Sequence, residues 1–257
     1  MRLKLGISFT SFVFLMRLKL GISFTSLGVL FGVHRSTASR IFLLVLVNLA
    51  EATRKWIFVP SLSTVKASMP ACFKEHYPRC RYIIDCTEVR VEVPGSVEKQ
   101  RSLYSNYKGG MTLKFLVAIV PNGQIVFVSN AYGGRESDTT ITTTSGFLDI
   151  VEAGDLILAD KGFPGINTHL GPKGAVLVMP PFSSGNSQFS REEMDRTYYI
   201  AQVRVHVERA IQRLKVFNIL NNRLPADLVP HMTDIFRMCA VLVNLQPPIF
   251  QSTEKDC

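Results

Sequence analysis

Cysteine is scarce in this sequence, acidic residues are nearly missing from its first quarter, and no long apolar run occurs. The five cysteines, Cys72, Cys80, Cys86, Cys239 and Cys257, are odd in number and no pair has CxxC spacing. Neither a disulfide framework nor a structural zinc site is expected, and a reducing, intracellular compartment is. The longest apolar run, residues 41–49, is interrupted by Asn48 and falls far short of the ~20 residues a bilayer-spanning helix needs, so no membrane partner is expected. Met1-Arg2-Leu3-Lys4 and the apolar residues after it imitate a signal peptide but lack a small-residue cleavage site. What is present is globular: 47% hydrophobic and 19% charged residues in 257, enough for one large domain or a main domain with a small appendage.

Basic residues dominate the charge. Lys plus Arg number 29 against 20 Asp plus Glu, a formal net charge of +9, which points to a polyanion and most often to nucleic acid. The excess is local. Residues 1–56 hold eight Lys/Arg and one acid, Glu51, whereas the other 201 residues hold 21 and 19. The same region carries a duplication: residues 1–11, MRLKLGISFTS, recur identically at 16–26. Two copies cannot stack into a solenoid, so residues 1–15 read as a duplicated segment, artefactual or disordered, with Met16 as an alternative start.

Residues 23–46 read as two short helices around a turn. Thr25 or Ser26 is placed to cap the first, and Leu27, Leu30 and Phe31 give it an i, i+3, i+4 stripe. Gly32 stands where a tight turn needs positive φ, with Val33 as the apolar plug. The second helix then opens on His34-Arg35-Ser36-Thr37-Ala38-Ser39-Arg40. A helix-turn-helix presents such residues to the DNA major groove. Arg35 and Arg40 suit phosphates or guanine edges, and Ser36, Thr37 and Ser39 are small enough for close approach. An ordinary αα-hairpin is the alternative. The expected organisation is a DNA-binding module over 16–55, a linker over 56–80 interrupted by Pro60, Pro70 and Pro78, a main domain over 81–248 and a tail over 249–257.

The main domain reads as α/β. Residues 82–93 are β-rich, 113–120 form an apolar run, Pro121-Asn122-Gly123-Gln124 carries a turn signal and 125–128 returns as a strand, giving a three-stranded antiparallel meander. Ser137-Asp138 cap a helix to about Leu148. Residues 155–159 form a short apolar strand ending in Asp160, and 175–179 suggest another. A long helix over 192–217 carries the stripe Val203, Val207, Ala210, Leu214 and Phe217. A last helix near 233–245 stops before Pro247-Pro248.

Three acids stand among apolar residues: Asp85 inside Tyr82-Ile83-Ile84-Asp85-Cys86, Asp160 after Leu156-Ile157-Leu158-Ala159, and Glu208 beside the helical stripe. An ionised carboxylate there is costly unless paired or bound to metal. Each has an ordinary explanation: Asp85 paired with Arg81, Asp160 capping its turn, Glu208 in a solvated i−4 pair with Arg204. Together they suit a pair of Mg²⁺ or Mn²⁺ ions, hard cations that take oxygen ligands and leave room for a phosphate.

The segments Ile84-Asp85-Cys86-Thr87-Glu88-Val89, Tyr104-Ser105-Asn106-Tyr107-Lys108 with Thr112-Leu113-Lys114-Phe115-Leu116, Gly133-Gly134-Arg135-Glu136-Ser137-Asp138, Ser145-Gly146-Phe147-Leu148, Ala159-Asp160-Lys161-Gly162-Phe163 and His206-Val207-Glu208-Arg209 occur in one order. That order resembles the DDE superfamily endonuclease domain of Harbinger-like eukaryotic transposases over roughly residues 80–245, with the upstream helix-turn-helix often found before it. The resemblance implies an α/β fold, an RNase H-like mixed sheet flanked by helices, preceded by a small all-α helix-turn-helix. It implies catalytic and metal-binding roles for Asp85, Asp160 and Glu208. It also implies Mg²⁺ or Mn²⁺ (two ions) as cofactor, DNA as partner alongside a second copy or an accessory DNA-binding protein, and a nuclear location. The implied activity is DNA cleavage, with strand joining by the freed 3′-hydroxyl. The competing reading is a catalytically inactive, transposase-derived DNA-binding or adaptor protein.

Around the acids, Lys108, Lys114 and Arg135 suit DNA phosphates or solvated strand ends. Arg204, Arg209, Arg213 and Lys215 suit the DNA backbone or a solvated basic face. Tyr104 and Tyr107 stack on bases or pack beside the sheet. Asp138 is expected as a helix cap, His206 and His231 as structural, and Cys86 on the strand face opposite Asp85 as a small buried hydrophobe.

Overall fold

The structure, a computed structural model, describes residues 8–180 and 191–248. Three helices come first: α1 (Phe9–Leu20), α2 (Phe24–Phe31) and α3 (Arg35–Ala52). Their boundaries follow from the duplicated segment. Ser8 caps α1 by accepting from the Ser11 N–H, and Ser23, its counterpart in the second copy, caps α2 by accepting from Ser26. Thr25 and Ser26 therefore lie inside the helix rather than at its cap. Gly21 and Gly32 end α1 and α2 in the left-handed region, at φ 66° and 64°, where glycine has no Cβ penalty. The axes of α2 and α3 meet at 105°, within the range of helix-turn-helix units. No single described helix is long and apolar enough to cross a membrane.

Residues 9–15 differ from the expectation of a disordered surplus segment. Val13 is buried with Leu27 and Ala38 in a small core between the helices. Phe14 stacks on Phe42 with ring centroids 5.3 Å apart. Residues 1–7 and the expected tail over 249–257 fall outside the described residues. The stripe on α2 also differs. Leu27 is buried but Leu30 is 62% exposed, because the short helix presents only a narrow face to α1 and α3.

The segment expected as a linker is instead part of the core. α4 (Leu62–Ala67) and α5 (Ala71–His76) bury Val65, Met69, Cys72 and Phe73 in the main apolar cluster. Phe42 and Leu46 of α3 enter the same cluster. The helix-turn-helix is thus packed onto the main domain, not tethered to it.

That domain holds β1 (Cys80–Arg90), α6 (Val97–Leu103), β2 (Tyr104–Ser105), β3 (Gly110–Ile119), β4 (Ile125–Val128), β5 (Tyr132–Gly133), α7 (Asp138–Thr144), β6 (Leu156–Leu158), α8 (Asn167–Leu170), β7 (Val176–Val178), α9 (Arg191–Lys215), α10 (Asn218–Asn221) and α11 (Met232–Asn244). β1, β3 and β4 form the expected antiparallel meander, turning at Gly123 with φ 88°. β6 and β7 extend the sheet in parallel from the other edge of β1, while β2 and β5 also pair with β3. The result is a mixed, RNase H-like sheet flanked by helices. The helix expected to reach Leu148 stops at Thr144, and a separate 3₁₀ turn, Phe147–Ile150, follows Gly146 at φ 85°. The stripe on α9 is buried as expected, from Val203 through Leu214 to Phe217 just beyond its end. Phe236 of α11 stacks on Phe115 of β3 at 4.2 Å.

Candidate functional site

Strand register brings the first two acids together. β1 and β6 are parallel with Ile83 opposite Leu158. Two residues further along stand Asp85, still on β1, and Asp160, just past the end of β6. Glu208 reaches them from α9, one residue past buried Val207. All three line one cleft of about 720 Å³. Asp160 and Glu208 share a partner, because the same nitrogen of Arg204 lies 3.2 Å from Asp160 Oδ2 and 3.8 Å from Glu208 Oε1. The Cys86 N–H donates to Asp85 Oδ1 at 2.8 Å. Arg81 is engaged elsewhere, donating to the Pro60 carbonyl.

Asp85 lies deep in the cleft wall and is perturbed accordingly. Burial raises its carboxyl to about 6, against the Cys86 N–H and Arg204, and Asp138 and Asp160 push it further. Asp138 is not the helix cap; Ser137 is, accepting from the Thr140 N–H. Asp138 instead accepts from Lys114 at 3.1 Å. A Cβ on Gly162 would lie 2.7 Å from its Oδ2, so the Lys161-Gly162-Phe163 turn closes tightly over it.

Lys114 faces inward. It bridges Asp138, the Glu136 carbonyl and, at 4.0 Å, Glu88, its register partner on β1. Glu88 also accepts from the Thr112 hydroxyl at 2.6 Å. The Lys114 charge is therefore already matched by protein carboxylates. Lys215 likewise turns into the cleft and donates to the Glu88 and Leu220 carbonyls. Its ammonium is lowered to about 8 by burial and then by Lys108. The expected i−4 pair of Arg204 with Glu208 is present; sequence reasoning missed the reach of Arg204 to Asp160 and the roles of Glu88, Asp138 and Lys215, because each depends on a partner distant in the chain. Cys86 departs from expectation too: it is half-buried and lines the cleft beside Asp85, its thiol raised by burial first and by Asp138 next.

Arg35, Ser36, Thr37 and Arg40 are exposed at the start of α3. Arg17, part of the N-terminal basic excess, is not available there; it is buried and donates to the Gly21 and Ile22 carbonyls. Lys108 lies in the cleft, and Arg135 and Arg209 are exposed. His206 is buried against Phe73. Burial, then Arg209, lowers its imidazole to about 4. An ordinary histidine near 6.5 in the unfolded chain takes up a proton that the native state refuses, so this stabilisation is lost as pH falls from about 6.5 towards 4. Between pH 7 and 5 the urea midpoint of the wild type should fall further than that of His206→Gln; parallel curves would refute the assignment.

The donors in the cleft are hard carboxylate oxygens, the type that Mg²⁺ and Mn²⁺ take. Among the described residues, however, no three acids or other ligating side chains form a compact cage. The Arg204 guanidinium stands between two of the acids.

Residues 84–244 match the model of the DDE superfamily endonuclease. The chain belongs to that family. Residues 1–55 match the helix-turn-helix of the DDE superfamily endonuclease, so both parts of the chain fall within the same group. The protein is also similar to a "Probable transposase for insertion sequence element IS702" from Microchaete diplosiphon, at 29% identity over 144 residues. That match covers 55% of this chain and 48% of the relative, so the chain spans about half the length of the curated relative it matches.

Proposed function

We propose that this protein is a divalent-metal-dependent DNA endonuclease and transposase, in which Asp85, Asp160 and Glu208 form the reaction centre. The observation that carries this reading is the meeting of Asp85 on β1, Asp160 two residues past the end of the adjacent parallel β6, and Glu208 in one cleft, with Glu208 joined to Asp160 through Arg204. These three would hold Mg²⁺ or Mn²⁺, which supplies an activated water or 3′-hydroxyl and stabilises the leaving oxygen. The chain's own groups prepare the site. Burial and neighbouring carboxylates keep Asp85 poorly neutralised, which favours an added cation. Lys114 holds Asp138 in place beside it. The order of the motifs supports a Harbinger-like position within the family.

The test is nicking of supercoiled DNA with Mg²⁺ or with a chelator. Metal-dependent nicking supports the reading. DNA binding without nicking in any divalent metal would support the alternative, an inactive transposase-derived DNA-binding protein, which Arg204 between the acids favours.

DNA binding itself is assigned to the start of α3. Arg35→Ala with Arg40→Ala is expected to weaken duplex binding and to flatten the salt dependence by about two phosphate contacts, ~0.9 log unit of slope each. An unchanged slope would show that α3 does not touch the phosphates.

A further inference from the structure

A hairpin beside the cleft carries a feature the cleavage chemistry does not use. β2 and β3 are joined through residues 106–109, and two tyrosines three positions apart stand out from the hairpin. Tyr104 is 43% exposed and Tyr107 is 84% exposed. Both were open to packing beside the sheet; Tyr104 does so in part, opposite Met111, and Tyr107 does not. A single exposed ring needs no explanation, but these two are flanked by cations on either side. On one flank, Tyr104, Arg101 and Arg135 line a hollow of about 380 Å³, and no carboxylate is among its described lining residues. On the other, Tyr107, Lys108 and Lys215 line the end of the main cleft, with the Lys108 ammonium 4.6 Å from the Tyr107 ring centroid. Glu88, the acid that acts on Lys215 there, is already engaged by the Thr112 hydroxyl and by Lys114. On the Tyr104 flank the cations are therefore unmatched by any described lining acid, and on the Tyr107 flank a lysine ammonium lies over the exposed ring.

We infer that this hairpin is the docking surface for an unpaired DNA strand continuing from the cleft, with Tyr107 and Tyr104 stacking on successive bases and Lys108, Arg101 and Arg135 following its phosphates. The inference rests on the DNA-cleaving reading of the cleft and adds the state of the DNA beside it. Three observations favour a single strand over a duplex. A duplex hides the faces of its bases, so exposed rings would have nothing to stack on. Paired rings and cations along a groove are how strands are bound without sequence preference. The surface is also continuous with the cleft that holds the three acids.

The experiment measures binding of the full chain, by fluorescence anisotropy, to a blunt duplex and to the same duplex bearing a short single-stranded extension. The wild type should prefer the extended DNA. Tyr107→Ala should lower that affinity about tenfold and leave the blunt duplex within about twofold, whereas Tyr107→Phe, which keeps the ring, should behave as wild type. Lys108→Ala should reduce the salt slope on the extended DNA by about 0.7 log unit. No preference for the extension, or equal loss on both DNAs, overturns the inference. Tyr107 is too exposed for its replacement to unfold the protein. Nicking is scored separately with Mg²⁺. A protein that does not nick but shows the Tyr107-dependent preference would fail the nuclease reading and retain the strand surface. One that nicks without that preference would lose the strand surface alone.

Discussion

Replacing Asp160 with alanine is expected to reduce metal-dependent nicking by at least about a thousandfold, because groups that act as one unit lose nearly the whole effect when one is removed. The fold should survive. The Asp160 side chain is 46% exposed, and its removal leaves Arg204 still paired with Glu208. The melting temperature should therefore stay close to that of the wild type, separating a chemical loss from unfolding. Asp160→Asn is the sharper comparison. It retains the shape and an oxygen that can accept the Lys161 N–H, the bond now made at 2.6 Å, but removes the charge. Loss in both variants with intact melting assigns the effect to the carboxylate. Nicking equal to wild type in either would remove Asp160 from the reaction centre.

Gly133→Ala is expected to be the most destabilising small substitution near the site. A Cβ there would stand 2.2 Å from the Ser102 carbonyl oxygen. That atom is backbone, so no side chain can rotate away; either β5 or the end of α6 must move. Overpacking of this kind costs about 3 kcal/mol, or a fall of about 6–12 °C in melting temperature for a chain of this size. Gly134 meets a similar limit, with the Thr112 hydroxyl and the Leu103 carbonyl in the way. Calorimetry decides it: a shift under about 2 °C would mean that β5 yields easily. The two glycines show why Gly133-Gly134 stands before Arg135. The chain passes against α6 so closely that side chains do not fit, and in doing so it delivers Ser137 and Asp138 to the edge of the cleft.

Sequence reading succeeded where the signal was local. The β1–β3–β4 meander followed from apolar runs and an Asn-Gly turn, and α9 from a stripe that all faces inward. The three acids were visible as charges in apolar surroundings, and their order among the motifs pointed to the family. What failed was non-local. Nothing in Thr112-Leu113-Lys114 says that Lys114 will stand opposite Glu88 and reach Asp138, since that depends on the register of two strands. Residues 56–80 look irregular because three prolines break them up, yet Phe73 and Val65 are buried in the main apolar cluster, Phe73 against His206 of α9. Cys86 was assigned by strict alternation, but Cys86, Thr87 and Glu88 all contribute to the cleft wall.

The position of Arg204 gives the site an unusual starting condition. Its acids do not face an open anionic hollow, because a guanidinium already sits between Asp160 and Glu208. For those two carboxylates to hold a divalent ion, the Arg204 guanidinium would have to give way, so that loading would be an exchange of cations. Such a centre would be insulated from adventitious loading at low metal concentration. Its occupancy would depend on where a side chain four residues from Glu208 can swing, and a DNA phosphate arriving with the metal offers that guanidinium somewhere to go.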